Sequence, residues 1–414
     1  MKYANLIFWV VLCAVLWTVH WPKFGDFLFI SAAFLARMLV TRVYKRFGPS
    51  ANPNAKMGDL LETIREKYKL PSLAAAIVTT DGVVDMAATG VRKVGASIPS
   101  TTNDLWHLGS CTKAMTGLLA GTFVAEGKLA WEDKVASFFS DTTGQLSPLM
   151  REISVAQLLS HRAGIAENYP RDLAAALRGP ITEQRIVVAR WLLESPAYPP
   201  GNYHYSNGSY IIMGSILERL GGKCWEELIR ERIFNPLGMT SAGFGGTGTV
   251  GQIDQPWPHL ANGQPALSNG PAMDNLPYMG PAGTVHASMS DWGKFLADQL
   301  CGGSGRPALF SPSIYAAMQK PQKGTYGFGW IVVHRSWARG KMLSHAGSNT
   351  MNYAASWLGP KVGHGVLVCI NQGGKLNAAA NEAAETLLNL QTSRFRAKRK
   401  SPTPEVTVQS QQRR

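Results

Sequence analysis

The segment WHLGSCTKAMTGLLAGTFVAEG, residues 106–127, sets the reading of the whole chain. Beyond Ser110, apolar residues recur at Met115, Leu118, Leu119, Phe123 and Val124, the spacing of one helical face, so a helix is expected over 110–126. Ser110 and Lys113 stand at i and i+3 and share a face of that helix. Gly109 precedes the serine, and unpaired N–H groups at a helix start point at whatever the hydroxyl approaches. A lysine drawn into a core loses proton affinity by desolvation and becomes usable as a base. A serine hydroxyl needs such help to act as a nucleophile. The ordinary alternative is a serine near a helix start beside a solvated lysine, since a chain of this composition holds about one S-x-x-K by chance. Cys111 lies about 100° round the helix from Ser110 and reads as a core residue.

Two more stretches bear on that choice. PPGNYHYSNGSY (199–210) is a loop running into a helix after Asn207. It sets the phenol of Tyr205 and the amide of Asn207 two residues apart, and a nearby lysine would lower the phenol's pKa toward a usable base. LSHAGSN (343–349) closes a short strand with His345, Ala346 and Gly347, small enough at its end to leave an edge open to a substrate. Taken singly, Tyr205-Ser206-Asn207 is an ordinary turn and His345 an ordinary surface histidine.

The chain around these motifs has 414 residues, 45% of them apolar, enough for one large or two modest domains. A helix over 58–68 leads into LAAAIVTTDGVVDMAATG, two strands joined at the hairpin dipeptide Asp81-Gly82. Helices are expected over 154–160, 183–194, 208–220, 224–232 and 289–299. Strands return in YGFGWIVVH, KMLSH, NYAASWL and HGVLVCIN, before a helix over 377–389. Strands from both chain ends and helices from the middle imply an α+β fold: one antiparallel sheet flanked by helices, with an inserted helical subdomain and a ligand cleft between.

The net charge of +14 belongs to the ends. Residues 1–46 carry Lys2, Lys23, Arg37, Arg42, Lys45 and Arg46 against Asp26 alone, and 393–414 are as basic with Glu405 as the only acid. The body, 47–392, is nearly neutral, which argues against nucleic acid as a partner. LIFWVVLCAVLW (6–17) and FLFISAAFLARMLV (27–40) are apolar runs that suit a membrane anchor, a membrane hairpin or a secretory signal. The tail 393–414 reads as basic and disordered. Five cysteines, without C-x-x-C pairs or zinc spacing, read as core residues.

Together and in this order, S-x-x-K, Y-x-N and H-x-G on a C-terminal strand resemble the serine hydrolases of the class C β-lactamase and penicillin-binding protein superfamily. ISVAQLLSHRAGI, IFNPLGM, GPAGTVHASMSDWGKF, YGFGW and CINQGG look like its recurring segments, so the resemblance spans 58–391. It implies the β-lactamase/DD-peptidase fold and an acyl-enzyme on Ser110. Lys113 and Tyr205 would handle protons, and Asn207 would orient Lys113 and the substrate amide. His345 and Gly347 would form the strand wall, and the N–H groups of Ser110 and Ser348 the oxyanion hole. No cofactor or metal is implied. The substrate would be small or peptide-like: an ester, a D-peptide, a β-lactam or an amide. Class C β-lactamases carry lysine where His345 stands. A histidine, largely neutral above pH ~7, weakens recognition of a β-lactam carboxylate and looks more like the D-aminopeptidases, DD-carboxypeptidases and esterases of the superfamily. An idle or acylated sensor bound to a membrane is the alternative.

The resemblance implies a site at the inner membrane facing the periplasm, or a secreted protein. Arg37, Arg42, Lys45 and Arg46 beyond the apolar runs instead favour a cytoplasmic body, and the sequence leaves that conflict open. Other hydrolase classes fail on their motifs. GMTSAG and GGSGR each miss one glycine of G-x-S-x-G, Ser290-Asp291-Trp292 falls short of S-D-N, and no H-E-x-x-H occurs.

Overall fold

The computed structural model describes residues 52–140 and 146–400. The expectations for residues 1–46 and for 401–414 lie outside them. Among the described residues no helix is long and apolar enough to cross a membrane.

Strand β1 (Ser72–Thr79) is buried along its whole length, which accounts for its unbroken apolar run. Leu73, Ala75 and Ile77 face one layer, while Ala74, Ala76 and Val78 face another. The first layer is formed by helix α1 (Met57–Tyr68) and the C-terminal helix, the second by the central helices. β1 turns through Thr80-Asp81 into β2 (Gly82–Gly90), the expected hairpin. Its other neighbour is β9 (His364–Ile370), from the far end of the chain. With β6 (Ile331–Arg335), β7 (Gly340–Ser348) and β8 (Tyr353–Gly359), these strands make a six-stranded sheet in the order β2-β1-β9-β8-β7-β6. Every pairing is antiparallel.

The middle of the chain is helical, as expected. A 3-10 turn at Gly109–Cys111 opens α2 (Thr112–Ala125), which is buried on nearly all sides. Then come α3 (Val155–Leu159), α4 (Ile181–Glu194), α5 (Asn207–Gly221) and α6 (Trp225–Ile229). Buried Arg185 on α4 pairs with Glu218 of α5 and Glu226 of α6, and donates to the carbonyls of Pro277 and Tyr278. That knot ties the helical region to the segment carrying Ala282, which reappears in the site. Later helices are α7 (Met289–Ser304) and α8 (Pro312–Met318).

Three features depart from the sequence reading. A small sheet of β3 (Trp106–His107), β4 (Gly243–Phe244) and β5 (Val285–Ala287) lies beside the nucleophile turn. Helix α8 was not expected. The last helix, α9, runs Asn377–Lys400 rather than stopping at 389, so the segment from 393 to 400 is helix and not disordered tail. Its side chains find partners on the body: Arg394 pairs with Asp85 at 2.7 Å, and the Phe395 ring lies 5.5 Å from that of His364.

Candidate active site

The site forms where the start of α2, the start of α5 and the end of β7 meet. The turn before α2 is possible because Gly109 adopts φ +49°, a left-handed conformation that glycine accepts freely. This leaves Ser110 partly exposed while Lys113, one turn on, is 0% exposed.

Lys113 Nζ has three partners: Asn207 Oδ1 at 2.7 Å, the Ala282 carbonyl at 2.7 Å and Ser110 Oγ at 3.0 Å. Two of these are carbonyl oxygens that can only accept. A neutral amine satisfies both with its two N–H bonds and turns its lone pair to the serine hydroxyl. Burial favours that form, bringing the lysine pKa down to about 7, with the distant charge of Glu167 opposing. Tyr205 donates its hydroxyl to Ser110 Oγ at 2.8 Å. Burial pushes its phenol above its ordinary value, so the expectation of a phenolate is corrected. Desolvation dominates, and Tyr205 keeps its proton at working pH as a donor to Ser110.

Asn207 is held from its far side, donating Nδ2 to Asn168 Oδ1 at 2.8 Å, while its backbone N–H donates to the Glu167 carbonyl. Ser206 caps α5 by accepting from Ser209 N–H. Tyr205 and Asn207 thus flank a helix cap and project together.

His345 is fully enclosed. Nε2 meets the Tyr326 hydroxyl at 2.8 Å and Nδ1 meets the Ala346 carbonyl at 2.7 Å. Burial, with Lys113 nearby, brings its pKa down to about 3, so it is neutral and presents no charge. Cys111 points away from the cleft, its thiol toward the carbonyls of His345 and Ala354, and burial pushes that thiol up. The four cysteines among the described residues are free.

Gly347 and Gly109 press backbone to backbone. A Cβ on Gly347 would overlap the Leu108 carbonyl and Ser110 N, and one on Gly109 would overlap Ser348 N. The amides of Ser110 and Ser348 are therefore near neighbours, a pair of donors suited to one oxyanion.

The structure thus gathers Ser110, Lys113, Tyr205 and Asn207 by direct hydrogen bonds, with Gly347 and Ser348 against the nucleophile turn. It also adds residues to which the sequence gave no role. The His161 ring lies 4.5 Å from those of both Tyr205 and Tyr326, and its Nδ1 accepts from Ser206 N–H. Both His161 and Tyr326 sit in stretches that signalled the resemblance.

A family model described as Beta-lactamase matches residues 57–390. The chain belongs to the Beta-lactamase family. Among its relatives, penicillin-binding protein 4 of Amycolatopsis lactamdurans is 28% identical over 186 residues, 45% of this chain and 48% of that protein. A putative D-alanyl-D-alanine carboxypeptidase of Escherichia coli K12 is 28% identical over 190 residues, 42% of this chain and 43% of that protein. The chain spans about half the length of these curated relatives. The octameric penicillin-binding protein homologue from Pyrococcus abyssi superposes with a TM-score of 0.64 at 24% identity, covering 82% of this chain and 79% of that one. The likeness shows the same fold.

In this Beta-lactamase-family site the crowding at Gly347 makes a direct prediction. Gly347→Ala is expected to push β7 off the nucleophile turn and cut hydrolysis about 100-fold, because misplacement by an ångström costs that much. Thermal melting and ester turnover of the variant check it.

Proposed function

We propose that the chain is a serine hydrolase that cleaves an ester or amide through an acyl-enzyme on Ser110. The observation that carries this reading is Lys113: enclosed, poised near pKa 7, and 3.0 Å from the hydroxyl of a partly exposed serine. The Ser110 proton passes to Nζ as Oγ bonds to the substrate carbonyl carbon. The carbonyl pair moves onto oxygen, which faces the N–H groups of Ser110 and Ser348. On collapse the bond to the leaving group breaks, and Tyr205 gives that atom its proton, to be recharged from the Lys113 ammonium. Water then attacks the acyl carbon, its proton returns through the same groups, and Ser110 is released.

The substrate reading follows from His345. Neutral and tied to Tyr326, it gives a carboxylate beside the scissile bond no cation to meet. That favours esters, or amides without such a carboxylate, over β-lactams. A p-nitrophenyl ester is expected to exceed a chromogenic cephalosporin in kcat/KM by about 10- to 100-fold, the worth of one missing charge-assisted contact. Parallel assays of both substrates and of a D-alanyl p-nitroanilide check it. Adduct on Ser110 without turnover of any of them would instead support a sensor. Attachment to a membrane through residues 1–46 belongs to the same proposal, supported by the two apolar runs there. Vesicle flotation of the full chain against a chain lacking those residues tests it.

A further inference from the structure

Beneath the nucleophile turn lies a sealed carboxylate that the chemistry above does not use. Asp274 stands in the long connection between β4 and β5, and its side chain is 0% exposed. Its Oδ1 lies 2.7 Å from Nε2 of His107, itself buried, and accepts from Asn349 Nδ2 at 2.9 Å. Each partner leads to one half of the oxyanion site. His107 Nδ1 accepts from the backbone N–H of Gly109 at 3.1 Å, which leaves Nε2 to carry the proton of a neutral imidazole; Nε2 approaches Asp274 Oδ1 closely but without hydrogen-bond alignment. Asn349 directly follows Ser348, and its Oδ1 accepts from the N–H groups of Met351 and Asn352, which fixes the turn leaving β7. The next residue in the connection, Asn275, donates to the Gly283 carbonyl at 2.9 Å, beside the Ala282 carbonyl that holds Lys113.

A buried carboxylate is costly, and this one is incompletely matched: among the described residues its Oδ2 has no hydrogen-bond partner. A role in bulk stability alone would be served better by an apolar residue of similar size. We infer that Asp274 is a positioning residue which, through His107 and Asn349, holds the Gly109–Ser110 turn and the Ser348 end of β7 at the separation an oxyanion needs. The inference rests on the reading of Ser110 as the acylated nucleophile. Asp274 touches neither the substrate nor the reacting atoms; it sets where the two amide donors stand.

The test uses the full chain and a fluorophosphonate probe. Ser110 Oγ bonds to phosphorus, the P–F bond breaks, fluoride leaves with the electron pair and Lys113 takes the serine proton. The phosphoryl oxygen occupies the oxyanion site, so the labelling rate reads its geometry without requiring turnover. Asp274→Asn is expected to slow labelling and ester kcat by about 10- to 100-fold, part of what removing one oxyanion donor outright costs. The ester KM should stay within about threefold, and the pH midpoint near 7 should not move, because Lys113 and Tyr205 are untouched. A general loosening of the fold would raise KM and shift the midpoint. Should Asp274→Asn not fold, Asn349→Ser cuts only the strand arm and is expected to give the same pattern. Labelling at the wild-type rate in a folded variant, or a loss confined to KM, overturns the inference alone. A wild-type chain that does not label at Ser110 overturns the serine-hydrolase reading and this inference with it.

Discussion

Ser110→Ala is expected to lower turnover of a responsive ester by about 10⁴-fold or more while leaving the melting temperature close to wild type. The hydroxyl accepts from Tyr205 and partners Lys113, yet stands partly exposed at the cleft, so its removal leaves little void and no strain. No neighbour can take over. The Cys111 thiol faces the carbonyls of His345 and Ala354, on the far side of the turn, and burial keeps it protonated. Intact-mass analysis after fluorophosphonate treatment should show one adduct on the wild-type chain and none on the variant. Residual activity above one part in about 10³, with the adduct retained, would remove Ser110 from the mechanism.

Lys113→Met is expected to be nearly as damaging to activity, about 10³- to 10⁴-fold, and to make the protein more stable. The two outcomes share a cause. An enclosed ammonium with no carboxylate beside it is disfavoured by burial, and the lysine pKa falls from 10.5 to about 7. Between those two values the unfolded chain binds a proton that the folded chain has released, so wild-type stability rises with pH across that window. Below about 7 both forms are protonated and the full cost of burial is felt. Methionine carries no such cost. Its melting temperature should therefore exceed wild type at pH 6, and the gap should shrink toward pH 10. Activity of the wild type should rise with pH through about 7, as the amine becomes free to take the serine proton. Melting curves and kcat across that range check both signs, and a variant less stable than wild type at pH 6 would contradict the account of Lys113. Lys113→Arg should be inactive at every pH, because a guanidinium does not give up its proton.

The sequence carried much of this in short runs. The S-x-x-K turn, the Tyr205-Ser206-Asn207 cap and the His345-Ala346-Gly347 strand end are each local; the structure joins the first two by hydrogen bonds and sets the third against the turn by close backbone packing. Strands β1, β2 and β6 to β9 were legible because hairpin dipeptides and apolar runs are local too. What was not legible is tertiary. β3, β4 and β5 are two or three residues long, too short for any period to register. α9 continues past 389 because Arg394 and Phe395 reach partners on distant strands. The Tyr205 phenol was expected to fall beside a lysine, yet it rises, since burial depends on everything packed around the ring. The Ala282 carbonyl, Asp274 and Asn349 reach the site from the second half of the chain. Only folding brings His107, three residues before the serine, against an aspartate far along the sequence.

The pairing of β1 with β9 bears on when, during synthesis, the protein becomes reactive. Translation delivers Ser110 and Lys113 early, and the strand bearing Ser348 follows roughly 240 residues later. β7 is then locked only when β8 has docked on β9, and β9 on β1. A sheet closed by partners so remote assembles slowly. Until it does, Ser348 is not held against the Gly109–Ser110 turn, and the two neighbouring backbone amides described above are not yet a pair. A chain cut short before β9 is expected to lack that pairing, since β7 docks through β8 and β9 onto β1.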